Sequence, residues 1–244
     1  MESSVTSNVY EKTSSHSRRP FEAGRTPFDG LRLWSAITHG VGILLAMVGT
    51  VFLLIKTVPV QDAVRIASFA VFGASMVGLY TASTLYHSVR VGVTGRILLR
   101  KVDHTAVYLL IAGTYTPLCM TILNGPLGYT LLAIIWILAI AGGAMSCLWI
   151  NAPRKVTASV YIALGWLCVI ALPFIYQQAG LTPILWMFAG GILYTIGGVL
   201  YALKWPGRHN PRFGCHEIFH VFIVLGTIAH FMLVYHCLAF YSIS

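Results

Sequence analysis

The sequence predicts an all-α membrane protein: a bundle of seven transmembrane helices, N-terminus in the cytoplasm and C-terminus outside. Three observations carry this. Of 244 residues, 57% are hydrophobic and only 9% are charged. An ordinary soluble domain carries about 25% charged residues, so this chain has too few to cover a water-facing surface. The uncharged runs have the length of membrane spans, and the basic residues fall in alternate connecting segments.

A helix needs roughly 20 residues to cross about 30 Å of hydrocarbon. The 23 uncharged residues between Arg32 and Lys56 make the first span, about 33–55. The 24 between Arg65 and Arg90 make the second, 66–88. The 50 between Asp103 and Arg154 are interrupted by Asn124, Gly125 and Pro126, giving spans 104–123 and 127–149. The 48 between Lys155 and Lys204 are interrupted by Gln177, Gln178, Gly180 and Pro183, giving 157–176 and 184–203. The 27 residues after Glu217 carry the last span, 217–241. No stretch alternates with period two, which argues against a barrel.

Orientation follows from the enrichment of Lys and Arg in cytoplasmic loops. The tail before the first span and the second, fourth and sixth loops hold 14 of the 16 basic residues. Lys56 and Arg65 alone lie on the other side. The net charge of +9 is thereby a matter of topology. It gives no support to nucleic-acid binding, since no basic stripe is interleaved with exposed aromatics. Residues 1–32 are rich in Ser and Thr and lack an apolar stretch, so they read as a disordered cytoplasmic tail rather than a signal peptide. The five cysteines have no CxxC spacing and no disulfide framework is expected; the four that sit in spans read as small apolar fillers.

Polar groups inside spans are costly and call for a reason. Ser83 and His87 are four apart at the cytoplasmic end of the second span, so they share a helix face. Asp103 opens the third span on the same side. His216 and His220, again four apart, open the seventh. Five polar side chains from three helices therefore fall in one slab, within about 10 Å of the cytoplasmic boundary. Three imidazoles suit zinc and leave a fourth position for water, which is the pattern of a catalytic site. Asp103 would hold that water or orient a ligand, and Ser83 would hydrogen-bond at the same place. The plainer alternatives are Asp103 as a helix N-cap and Ser83 as packing glue. His39 reads as structural, at most supporting a ligand. His104 should point about 100° away from Asp103. Glu217 is expected to pair with a loop arginine or a ligand. His230 and His236 lie too deep to join the cluster, and a thiolate from Cys215 is disfavoured.

Together with Ser35-Ala-Ile-Thr-His39-Gly40, Asp103-His-Thr-Ala-Val-Tyr108 and Ala112-Gly-Thr-Tyr-Thr-Pro117, this pattern resembles the progestin and adipoQ receptor family, and within it the bacterial hemolysin III type. The resemblance covers residues 30–244. It implies seven helices in a cell membrane and zinc on His87, His216 and His220, with Asp103 and Ser83 beside the metal. The wider group includes alkaline ceramidases, which implies zinc-dependent hydrolysis of a lipid amide or ester, with membrane lipids as partners. Two further functions compete: a membrane-state sensor in which zinc is structural, and a pore-forming cytolysin. Against the last, no span shows the charged ring of an ion path. A retinal protein is excluded because no lysine follows Lys204. A G-protein-coupled receptor is disfavoured by the basic-residue asymmetry, and no second histidine pairs with His230 to hold a haem.

Overall fold

A computed structural model describes residues 26, 28, 30–207, 210, 212–239 and 241. The predicted tail therefore lies largely outside the described residues. The rest form seven helical rods. They are α1 (Leu33–Thr57), α2 (Ala63–Ser88), α3 (Val93–Met120) and α4 (Pro126–Leu148), then a composite fifth rod, then α7 (Leu181–Leu203) and α8 (Cys215–Met232). The fifth rod runs from α5 (Arg154–Gly165) through a 3-10 stretch (Trp166–Ala171) into α6 (Leu172–Ala179). Beyond α8 the chain continues in π-helical geometry over Leu233–Leu238.

Six rods are long and apolar enough to cross a membrane. The remaining one, α3, carries Arg96, Arg100, Lys101 and Asp103 in its first three turns. It begins at Val93, so Asp103 sits inside it and the N-cap reading of that residue falls. The reason lies in α2. The last carbonyls of a helix lack intrahelical partners, and Arg96 of α3 supplies them. Its guanidinium donates to Val89 O at 2.5 Å and to Tyr86 O, and it lies over the Tyr86 ring. α3 must run alongside the end of α2 for this to happen.

Other predicted breaks fall where expected. Gly125 takes φ 139° immediately before Pro126 at the start of α4, and Gly180 takes φ 71° between α6 and α7. The change of geometry in the fifth rod was not predicted. Pro173 has no N–H to continue the helical ladder. Tyr115 of α3 reaches into the gap, donating to Leu164 O and Gly165 O and accepting from Cys168 N–H.

The rods α1, α2, α3, α5, α7 and α8 pack pairwise in a closed ring, with α4 outside against α3. Between membrane helices there is little hydrophobic driving force, and close backbone approach takes its place. Glycines supply that approach at most joints. Gly42 and Gly73 receive Tyr80 and Thr50 between α1 and α2, and Gly113 receives Ser75 between α2 and α3. Gly142 receives Tyr108 between α3 and α4, and Gly190 and Gly226 receive His230 and Tyr194 between α7 and α8. His230 also donates from Nδ1 to Gly226 O at 2.9 Å, so it is a satisfied core residue. Outward-facing Leu44, Ile55, Ile137, Ile140 and Leu185 form a lipid-facing surface. All five cysteines are free thiols.

At the end of the bundle away from His87, Arg65 donates to Ala239 O and Tyr241 O and pairs with Asp62. Lys56 caps Tyr235 O and lies over its ring. The two basic residues that broke the charge asymmetry are thus both committed to closing the last helix.

Candidate metal centre

α2 ends and α8 begins at the same end of the bundle, and this brings His87 to His216 and His220. His216 Nε2 lies 3.3 Å from His87 Nε2 and 3.2 Å from His220 Nε2. One ligand atom from each of the three lies within 4.8 Å of the others, a grouping that could hold a metal ion. His87 and His220 are almost fully buried, and His216 is half-buried.

A short strap before α1 fixes this junction. His87 Nδ1 lies 2.6 Å from Gly30 O, so the ring donates there and turns its Nε2 lone pair inward. Arg32 N–H donates to His87 O at 3.0 Å. The Arg32 side chain donates to Glu217 Oε1 at 2.9 Å, joined by the Ser35 hydroxyl at 3.2 Å. Gly214 N–H donates to Glu217 Oε2 at 2.9 Å, closing the first turn of α8. Gly30–Arg32 thus form part of this junction. The backbone half of the strap has no signature in the sequence, whereas the Arg32–Glu217 pair is the expected one.

Gly30 has φ 82°, and a Cβ there would collide with the Tyr86 ring. Metal-bound histidines depend on the partner of their second nitrogen, and losing it costs about 10–100-fold in affinity. Gly30→Ala is expected to weaken metal binding by that factor, read by competition with a chromogenic chelator, while the metal-free protein keeps its helical circular dichroism. Arg32→Ala strips the main counter-charge from Glu217, which is 1% exposed. The Arg32 side chain is 36% exposed, so water screens the pair, and the expected loss is about 1–2 kcal/mol, seen as a lower unfolding temperature in detergent.

Asp103 and Ser83 face the same place. They line a cavity of about 40 Å³ with His39, His104, His216 and His220, roomy enough for water. Ser83 therefore shares this cavity with Asp103. His104, expected to point away, lines the cavity as well. His39 stacks on His220 with centroids 3.8 Å apart, and neither of its nitrogens has a partner among the described residues. Its spacing of four from Ser35 was the available signal. Glu217 pairs with an arginine, as expected. Cys215 is buried beside the site, and His230 and His236 stay apart from it. A second, apolar cavity of about 70 Å³ adjoins the first, sharing Tyr161, Tyr201, Phe219 and Ile223.

A family model described as Haemolysin-III related matches residues 33–231. A Hemolysin-3 homolog of Bacillus subtilis (strain 168) is 39% identical over 210 residues, 86% of this chain and 93% of that protein. Hemolysin-3 of Bacillus cereus is 36% identical over 217 residues, 88% of this chain and 94% of that protein. The Adiponectin receptor protein of Drosophila melanogaster is 28% identical over 217 residues, covering 80% of this chain and 48% of that protein. With its spanning-length apolar helices, the chain is a multi-pass membrane protein and belongs to the haemolysin-III related family.

Proposed function

We propose that this chain is a seven-span membrane hydrolase with a cytoplasmic N-terminus. On this reading it holds zinc on His87, His216 and His220 and cleaves an acyl amide or ester bond of a membrane lipid. The donor set fits the metal. Tetrahedral zinc with Zn–N near 2.0–2.1 Å sets its ligand nitrogens about 3.3 Å apart, and the two Nε2 separations are 3.3 and 3.2 Å. Three protein ligands leave one coordination position over. In such a site zinc supplies a Lewis acid and an activated water.

The observation that carries the hydrolytic reading is Asp103. A carboxylate in the metal cavity can take a proton from an attacking water and return it to the leaving group. On this reading the Ser83 hydroxyl, in the same cavity, orients that carboxylate. The apolar cavity beyond Tyr161 and Tyr201 gives the site an apolar wall against which part of a lipid chain would lie. α3 makes the seventh span on this reading. Its charged first turns would stand at the cytoplasmic headgroups, where long basic side chains reach water. Fusions of alkaline phosphatase after Ser244 and after Lys155 test the orientation, with activity expected only from the first.

One observation favours a second reading, a structural metal. α2 and α8 are not direct neighbours in the ring of helices, so a metal on His87 would add to the Arg32 strap in tying the two rods together. Purified protein separates the two. Release of fatty acid from N-acyl and O-acyl lipids should cease on chelation and return with zinc. Turnover that persists in His220→Ala would sink the hydrolase reading. Metal removal that lowers the unfolding temperature, with no turnover before or after, would favour the structural one.

A further inference from the structure

A third pocket, polar and of about 190 Å³, opens beside the metal centre. Arg32, Arg154, Lys204, Gly214, His216 and Glu217 all line it. Among the described residues its three cations come from three separate segments: the strap before α1, the start of α5 and the end of α7. The one carboxylate among them is already engaged, for Glu217 accepts from Arg32 and Ser35 on one oxygen and from Gly214 on the other. Arg154 and Lys204 are left as net positive charge. The first turn of α8 opens on the same pocket, adding the positive end of its dipole.

His216 lines both this pocket and the metal cavity, so the two spaces meet at one side chain.

The three cavities follow one another along α8. The polar pocket meets Gly214 to Glu217, the metal cavity His216 to Ile223, and the apolar cavity Phe219 and Ile223. Arg154 stands over the Tyr201 ring at 4.7 Å, and Tyr201 lines both inner cavities. We propose that the polar pocket takes the phosphate group of an anionic amphiphile whose chain passes the histidines into the apolar cavity. As a statement of substrate class this rests on the hydrolase reading; as a binding site it does not.

Native mass spectrometry of the full chain from nanodiscs of phosphatidylcholine and phosphatidic acid, mixed nine to one, tests it. Wild type is expected to retain phosphatidic acid at least about tenfold beyond its share, a preference of about 1.4 kcal/mol. Arg154→Gln with Lys204→Gln should abolish that preference. Arg90→Gln with Lys101→Gln removes equal charge outside the pocket and should preserve it. Equal loss in both double variants, or no preference in wild type, overturns the proposal. Should the first pair fold poorly, Lys204→Gln alone must at least halve the preference, and its failure to do so also counts against the site.

Inorganic phosphate separates the two sources of the group. Weak competition, needing large excess, supports an amphiphile held also by its chain. Displacement at concentrations comparable to the lipid assigns the pocket to a free anion and overturns the amphiphile. Metal content is measured on the same samples. Retained lipid preference without turnover of any lipid sinks the hydrolase reading alone. Metal-dependent turnover of neutral lipids without the preference sinks the anion site alone.

Discussion

His220→Ala is expected to strip the purified protein of metal, from about one zinc per chain to a background level read by inductively coupled plasma mass spectrometry. His220 Nε2 stands 3.2 Å from His216 Nε2, and alanine removes one of three donors from a site that has few substitutes. The alternative ligands are His39, stacked on His220 with centroids 3.8 Å apart, and Asp103 in the same cavity. His87→Ala should behave alike and further unlink α2 from α8. His236→Ala, at the exposed far end, serves as the control that keeps its metal. Because binding free energy at a buried site is also folding free energy, the metal-depleted variants should unfold at lower temperature than wild type. Wild-type protein purified without chelators and devoid of zinc would overturn the metal assignment.

Asp103→Asn should show the opposite separation: metal retained, turnover lost. The amide keeps the carboxylate's shape, but it cannot accept a proton. General acid–base groups contribute about 10²–10⁴-fold, and a fall in kcat of that size with unchanged zinc is the expected result. Ser83→Ala removes only the orienting bond. A net hydrogen bond to a charged group is worth about 1.5–3 kcal/mol, so its ceiling is near a hundredfold. If Asp103→Asn lost zinc in proportion to activity, Asp103 would be a ligand or a structural residue and the assignment of a proton-transfer role would fail.

The sequence carried much of this because membranes constrain it so tightly. Uncharged runs mark six of the rods directly, and Gly125, Pro126 and Gly180 mark the turns between them. Ser83, His87, Asp103, His216 and His220 were legible as a group because helical spacing of four and the alternation of ends together place them in one slab. The start of α3 was not legible. Its first turns are charged and read as loop, and only the pairing of Arg96 with the carbonyls of Tyr86 and Val89 explains why they are helical. The 3-10 stretch after Gly165 likewise depends on a hydroxyl from Tyr115, some fifty residues earlier in the chain.

What the sequence by itself determined is the class, the rods, and which imidazoles can meet, since apolar length and helical period are properties of local segments. The tertiary structure alone decided how they meet. Gly30 O orients His87, Arg32 joins α2 to α8 through Glu217, and His39 and His104 face the cavity. Those outcomes turn on backbone carbonyls, on helix rotation and on close approach at glycines. Each requires two segments distant in the chain to be placed together before it exists.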